Sequence, residues 1–382
     1  MLARRTLFAL LALTLILFGS APDVVAAQQA TPAPTPAGGV EVVASGLDSP
    51  RGFTWSDDGT LIIALAGHGG DTQIQPMEGF TLALGLSSSV ATIADGCATP
   101  LVAGLLSAHW VEQGWVWGTM DVAFLNGELY ALIGAGGPSW LTPSSFSGVY
   151  RINDDGTMDL VADITNWLPD HPPAFVPPDY GSDGSLFDLE AAGDALLLSE
   201  AVGGQLLRVT PDGEISTVAD LSEGHMVPTG IAVDDEGNAF VGFETTPPFE
   251  DGSSKVVKVT PDGAVSDAWT GLTSVTDVVL GPDGALYAAE MATGNTGEPP
   301  FLTPHSGRIV RQTGPDSLEA VVVDADYPVH FGFDTGGALY LAYPAFGPNG
   351  GAGIGALLRI DISSDTPVSL AGLGELEATC MS

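Results

Sequence analysis

The residues with the clearest chemical potential are acids that recur at a fixed place in a repeated segment. Each copy contains two short apolar stretches around a turn with glycine, as in "TDVVLGPDGALYAAE" from Thr276. The second residue of the copies forms one column, which reads Gly52, Asp121, Asp188, Gly230, Asp277 and His330. The residue that closes the second stretch forms another, which reads Leu65, Ile133, Glu200, Phe243, Glu290 and Tyr343.

Carboxylates and a histidine gathered from separate copies can do three kinds of chemistry. Asp121, Asp188 and Asp277 offer the oxygen ligands that Ca²⁺ or another hard divalent cation prefers. A histidine among them also suits Zn²⁺ or acid–base catalysis. Alternatively, an aspartate at the start of a strand accepts hydrogen bonds from backbone N–H groups nearby. The sequence predicts a metal site at these three aspartates and leaves the other two roles open.

Further candidate ligand-binding residues lie beside these columns. Arg51 is the one basic residue directly before the first column, where it can clamp an anionic ligand or offset the acids. Tryptophans concentrate around the second copy, where they can fill gaps or stack against a ligand. The predicted ligand-binding set is Arg51, His68, Trp117, Glu200, His225, Glu290 and His330. No catalytic residue is assigned, because no nucleophile, zincin, dinucleotide or P-loop motif is present.

The elements that position these residues follow from the repeat itself. Six copies begin near residues 51, 120, 187, 229, 276 and 329, and their Asp-Gly and Asn-Gly turns predict hairpins. A third stretch with a central basic residue follows most copies, and the predicted structural cations are Arg151, Arg208, Lys258, Arg308 and Arg359. Four short strands in each of six units predict an all-β fold, a six-bladed β-propeller of four-stranded antiparallel blades. Residues 40–47 and 367–373 compete for the strand that closes the ring.

One face of this propeller is expected to carry the function. In an antiparallel blade, the entry to strand one and the exit from strand two lie at the same end. Long segments that read as irregular, including 66–88 and 100–118, fall at that end, whereas the other end has only short turns. We therefore expect the site on the loop-rich face.

The chain is predicted to have three parts. Residues 1–27 resemble a signal peptide, with the basic start "MLARR" and an apolar run too short to span a membrane. Residues 28–39 form a Pro/Ala/Thr-rich linker, and residues 40–382 form the propeller. We expect a secreted, extracellular protein without a stable membrane anchor.

Charge and cysteine content limit the partners. The formal net charge of −37 disfavours nucleic acid and favours cations. The expected partner is a small molecule or an extracellular protein, and the expected state is a monomer. Cys97 and Cys380, the only cysteines, predict one disulfide in an exported chain.

Four stretches carry a resemblance to a known family. They are "VVASGLDSPRGFTWSDDGTLIIA" (42–64), "GTMDVAF" (118–124), "MVPTGIAVDDEGNAFVGFET" (226–245) and "GLTSVTDVVLGPDGALYAAEM" (271–291). Together they resemble the ScyD/ScyE family of secreted, NHL-like propeller proteins, which implies a fold and an export route. The chain is also similar, more broadly, to gluconolactonase-like propellers, which implies a divalent cation at the channel mouth and hydrolysis of lactones or esters. In that comparison Asp121, Asp188 and Asp277 occupy comparable places, while Thr229-Gly230 replaces an expected Asn-Gly.

Two functions follow as predictions. The first is a non-catalytic propeller that binds a ligand or partner on its loop-rich face. The alternative is a divalent-cation-dependent lactonase or esterase-like hydrolase.

Overall fold

The computed structural model describes residues 39–77, 79–299, 301–344, 352–373 and 376. The predicted signal peptide, residues 28–38 of the predicted linker, and Cys380 lie outside the described residues, so the disulfide with Cys97 stays a prediction. Among the described residues, no helix is long and apolar enough to cross a membrane.

β-Strands are the dominant regular secondary structure of the described residues. In chain order the strands are β1 (Val40–Leu47), β2 (Pro50–Trp55), β3 (Leu61–Leu65), β4 (Thr72–Met77), β5 (Phe80–Ala94), β6 (Cys97–Trp110), β7 (Trp115–Trp117), β8 (Thr119–Leu125) and β9 (Glu128–Ile133). They continue as β10 (Gly148–Ile152), β11 (Met158–Asp163), β12 (Leu186–Ala192), β13 (Ala195–Glu200), β14 (Gln205–Val209), β15 (Ile215–Asp220), β16 (Pro228–Val233), β17 (Ala239–Phe243) and β18 (Ser254–Val259). The last are β19 (Val265–Leu272), β20 (Val275–Leu280), β21 (Leu286–Glu290), β22 (Gly307–Gly314), β23 (Ser317–Ala325), β24 (His330–Phe333), β25 (Leu339–Tyr343), β26 (Gly355–Ile360) and β27 (Val368–Ser369). Helical turns are limited to α1 (Ile164–Trp167) and two 3₁₀ turns, Pro138–Trp140 and Leu168–Asp170.

The sheets follow the repeat, and the prediction of an all-β propeller with four-stranded antiparallel blades is confirmed. Strands of the described residues fall into six sheets, and in each one the first strand of a copy is an edge strand, as in β8-β9-β10-β11 and β16-β17-β18-β19. These six first strands contact one another in the cyclic order β2, β8, β12, β16, β20, β24 and back to β2. They therefore surround a common axis and form the inner edges of the blades.

The N-terminal strand completes the last blade. β1 pairs antiparallel with β26 from Val40 opposite Ile360 to Leu47 opposite Gly355. β27 instead joins the preceding blade, where it runs parallel to β23. Of the two segments that competed in the sequence, residues 40–47 therefore provide the fourth strand.

The first blade carries an extension that the sequence did not predict. β5 and β6 contain 15 and 14 residues, and β4 and β7 flank their outer parts. Segments 66–88 and 100–118, which read as irregular loops, are thus largely a β-sheet. The alternation of apolar and polar residues that predicts a strand is weak here because the segment contains many small residues. Gly85, for example, lies against the backbone of Gly69 and Gly70 with no room for a side chain.

The prediction that Arg308 is the structural cation of its third strand, at the place equivalent to Arg208 and Arg359, is wrong. Arg208 and Arg359 lie opposite Leu197 and Tyr340 near the short-turn ends of their blades, and Arg311, rather than Arg308, lies at the matching place opposite Tyr287. Arg311 pairs with Asp283 at 2.7 Å. Arg308 lies three residues earlier on β22, opposite Glu290.

Candidate functional site

The aspartates of the first column link neighbouring inner strands. An inner strand is an edge strand, so its channel-facing N–H groups have no partner within the sheet. Asp121 Oδ2 accepts a hydrogen bond from the N–H of Leu189 at 2.9 Å, and Asp188 Oδ2 accepts one from Ile231 at 2.6 Å. Asp277 Oδ2 likewise accepts from Phe331 at 2.8 Å. In each case the donor is the residue that directly follows the first-column residue of the next blade. These carboxylates therefore have a structural role, because they connect neighbouring blades.

The glycines of the same column make room for these carboxylates. A Cβ atom on Gly52 would lie 1.5 Å from Asp121 Oδ1, and one on Gly230 would lie 2.6 Å from Asp277 Oδ1. Asp121 and Asp277 therefore fill the space that the glycine of the preceding blade leaves open.

Asp121, Asp188 and His330 come together at this ring. One ligand atom from each lies within 4.8 Å of the other two. Both aspartates are buried, with 3% and 5% of their surface exposed, and the His330 side chain is 18% exposed. Burial raises the pKa of Asp121 well above its usual value, and the charge of Asp188 and a hydrogen bond to it raise it further. A buried carboxyl pair of this kind favours a bound proton or a cation between its members.

Asp277 lies next to the cluster of Asp121, Asp188 and His330, where it contacts the histidine. Its Oδ2 atom lies 3.3 Å from His330 Nδ1. Burial raises the pKa of Asp277, with a smaller contribution from Asp188, and burial lowers the pKa of His330. Asp277, which the sequence placed among the metal ligands, therefore lies where it can orient His330.

The donor set fits a divalent cation. Two carboxylates and one imidazole are ligands that Zn²⁺ and similar ions accept, whereas Ca²⁺ prefers more oxygens. Glu190 supplies a further carboxyl two residues after Asp188 on β12, and burial followed by the Asp188 charge raises its pKa to about 8. Sequence reasoning missed Glu190, although its spacing from Asp188 places both on one side of a strand.

The two glutamates of the second column are held within their own blades. Glu290 Oε1 accepts a hydrogen bond from the Thr273 N–H at 2.6 Å, and Oε2 pairs with Arg308 Nε. Glu200 Oε1 accepts from the Ser185 N–H at 3.0 Å. Both side chains are fully buried, and burial raises the pKa of Glu200 to about 7.

A cavity of about 140 Å³ opens at the end of the ring where the first strand of each blade begins and the second strand ends. It is bounded by Arg51, Trp115, Val116, Trp117, Met120, Asp179, Phe187, Ala201, Val202, His225, Val227, Glu244, Thr245, Thr246, Pro247 and Phe249. We call it the mouth cavity. Of the predicted ligand-binding residues, Arg51, Trp117 and His225 line it. His68 lies elsewhere and contacts Asp48 through Nδ1 at 3.2 Å.

Arg51 and Trp117 shape the wall of the mouth cavity. The buried guanidinium of Arg51 donates to the carbonyl oxygen of Val116 at 2.8 Å, which ties β2 to β7 within the first blade and its extension. Burial lowers the pKa of Arg51 to about 9, so the group remains protonated at neutral pH. The ring of Trp117 packs against Trp140 and Phe187, with centroid distances of 5.4 and 6.2 Å.

Three polar groups on the same wall lack hydrogen bonds within the described part of the chain. Burial raises the pKa of Glu244 to about 7, and its carboxyl receives no donor. Thr245 Oγ1 and His225 Nε2 are buried without a hydrogen bond, although His225 Nε2 lies 3.4 Å from Asp179 Oδ1. Sequence reasoning missed Glu244 and Thr245, which lie one and two residues beyond the second column.

Comparisons with known proteins identify the fold. Neither the family models nor the curated proteins gave a match. A putative oxidoreductase (glucose dehydrogenase) from Thermus thermophilus matches with a TM-score of 0.55 and 15% identity, covering 84% of this chain and 99% of that one. The PQQ-bound aldose sugar dehydrogenase of Streptomyces coelicolor gives 0.52 and 16%, with coverage of 86% and 99%. A gluconolactonase from Xanthomonas campestris gives 0.51 and 13%, with coverage of 84% and 89%. At these identities, the likeness shows a shared β-propeller fold.

Proposed function

We propose that the chain is an exported propeller of the ScyD/ScyE type that binds a small organic molecule in the mouth cavity. The observation that carries this proposal is a largely apolar wall on which Thr245 Oγ1 and His225 Nε2 are buried without a hydrogen bond, beside the half-buried carboxyl of Glu244. Export rests on residues 1–27 of the sequence.

The energetics favour an occupant. A buried polar group without a hydrogen bond costs about 1–3 kcal/mol, and a ligand with complementary groups removes that cost. Trp117, Phe187 and Phe249 offer apolar surface, which contributes about 25 cal/mol per Å² when water is excluded.

The proposal is tested with a neutral fluorescent probe, N-phenyl-1-naphthylamine, whose emission rises in apolar surroundings. We expect a saturable rise with one probe per wild-type chain. Val202→Trp should abolish the rise, because Val202 lines the cavity and a larger side chain fills it. The matched control is Val265→Trp, which adds the same group at a position 48% exposed on an outer strand. An equal rise in all three proteins, or none in the wild type, would contradict the proposal.

A divalent-cation-dependent hydrolase is the second candidate, and the grouping of Asp121, Asp188 and His330 favours it. A cation held there would polarise the carbonyl of a lactone or ester and activate water. Asp121 and Asp188 would hold the ion, and Asp277 would keep the His330 ring in place through Nδ1.

Cation binding is measured apart from activity. We expect Zn²⁺ or Ca²⁺ to raise the melting temperature of the full chain and to titrate calorimetrically with one site, and His330→Ala should remove this response. Hydrolysis of γ-butyrolactone and phenyl acetate is then assayed with and without a chelator. A wild-type protein that shows neither calorimetric binding nor chelator-sensitive hydrolysis excludes the second candidate.

A further inference from the structure

The wall of the mouth cavity favours one charge type of ligand. Ten of its sixteen residues are apolar, which suits a ligand with an apolar body rather than one covered with hydroxyl groups. Glu244 adds a carboxyl to which no described group donates, and Asp179 adds a second acid. Ionised carboxylates only accept hydrogen bonds, so these two acids favour a ligand that donates them.

The single arginine of the described wall does not reverse this preference. Arg51 is 2% exposed, and its Nη2 and Nη1 atoms donate to the backbone oxygens of Val116 and Pro50. These two hydrogen bonds hold the protein's own backbone, whereas no group in the described ranges donates to the carboxyl of Glu244.

The aromatic residues of the same wall also favour a positively charged ligand. Trp115, Trp117, Phe187 and Phe249 line the cavity, and aromatic rings attract ammonium groups. The formal net charge of −37 further raises the concentration of cations near the protein.

We propose that the ligand of the mouth cavity is an organic cation, namely a protonated amine on an apolar or aromatic body. Its ammonium group donates to the Glu244 carboxylate, and its body packs against the tryptophan and phenylalanine rings. This inference rests on the proposed binding function and names its ligand class.

The test compares three ligands of similar size and different charge. 2-Phenylethylammonium, 2-phenylethanol and 3-phenylpropionate each compete with N-phenyl-1-naphthylamine on the full chain at pH 8. The other ionisable groups on the wall, Arg51, Asp179 and His225, are the same in every arm. We expect the ammonium to bind at least about tenfold more tightly than the alcohol, since a charge-assisted hydrogen bond separates them.

Two variants locate the preference. Glu244→Gln should reduce the preference for the ammonium over the alcohol to about twofold or less. Glu236→Gln removes the same charge from an exposed turn after β16 and should leave the preference unchanged.

The outcomes separate this inference from the proposed function. Equal affinity for ammonium and alcohol in the wild type, tighter binding of the phenylpropionate, or a preference that survives Glu244→Gln overturns the cationic ligand. Displacement by none of the three, with the neutral probe still bound in a Val202-dependent way, also overturns it and leaves the binding function standing. Only failure of the neutral probe itself removes the proposed function.

Discussion

Replacing Glu244 with glutamine is expected to stabilise the folded protein at alkaline pH and to change it little at acidic pH. Burial raises the pKa of Glu244 from 4.5 to about 7, and among the described residues no group donates a hydrogen bond to this carboxyl that the amide would break. Below pH 4.5 the group is protonated in both the folded and unfolded states, so it costs nothing. Between the two values the unfolded chain releases a proton that the folded chain retains, and stability falls until the pH passes about 7.

The size of the effect follows from that interval. At about 1.4 kcal/mol per pKa unit, the full interval corresponds to roughly 3 kcal/mol at pH 8.5. Glu244 is only partly buried, so solvent reduces the expected gain of the glutamine variant to about 1–3 kcal/mol. At pH 5 the same variant should gain less than about 1 kcal/mol.

The assay is a series of urea denaturation curves of wild type, Glu244→Gln and the control Glu236→Gln at pH 5 and pH 8.5. Other buried acids titrate equally in all three proteins, so they cancel in the differences. A stability difference between wild type and Glu244→Gln that is the same at both pH values would refute the burial of this carboxyl. A difference of equal size in Glu236→Gln would refute its assignment to the cavity wall.

Three further changes test how the ring is built. Gly52→Ala should destabilise the fold by about 3 kcal/mol or more, because its Cβ meets the Asp121 carboxylate, and urea midpoints should show less than additive loss when Asp121→Ala is combined with it. Arg308→Ala should cost about 3–5 kcal/mol, since it leaves Glu290 buried and unpaired, and the loss should be larger at pH 8 than at pH 5; an equal loss at both would contradict the ion pair. Asp277→Ala should cost about 1–3 kcal/mol by removing an acceptor from the next blade, whereas Asp277→Asn retains an acceptor and should cost less in the same measurement; equal losses would contradict the hydrogen-bonding role.

The repeat made the blades predictable, because each hairpin depends on local turns and on alternating apolar residues. The first column was predictable for the same reason, and the sequence left open the use of Asp121 as an acceptor for the next blade. The pairing of Glu290 with Arg308 was not predictable. Arg308 and Arg311 lie on one strand, and only the register opposite β21 separates the residue that meets Glu290 from the one that meets Asp283.

The mouth cavity was less accessible to sequence reasoning. Glu244 follows the last residue of β17, and its place depends on a loop in which Thr245 and Phe249 adopt positive φ angles of 68° and 56°. Threonine and phenylalanine do not predict a positive φ angle, since asparagine and glycine are the residues that usually adopt it. Ring closure was also undecided, because residues 40–47 and 367–373 are both apolar and only pairing with β26 distinguishes them.

Because β1 pairs with β26, a strand from near the start of the described chain completes a blade whose other strands are synthesised last. The first strand of the described residues gains its partner only when nearly the last hairpin has been synthesised. A nascent or truncated chain that ends before Gly355 leaves β1 unpaired and open to chaperones and proteases. In the finished molecule, by contrast, pairing from Val40 to Leu47 joins the two ends of the propeller within one sheet.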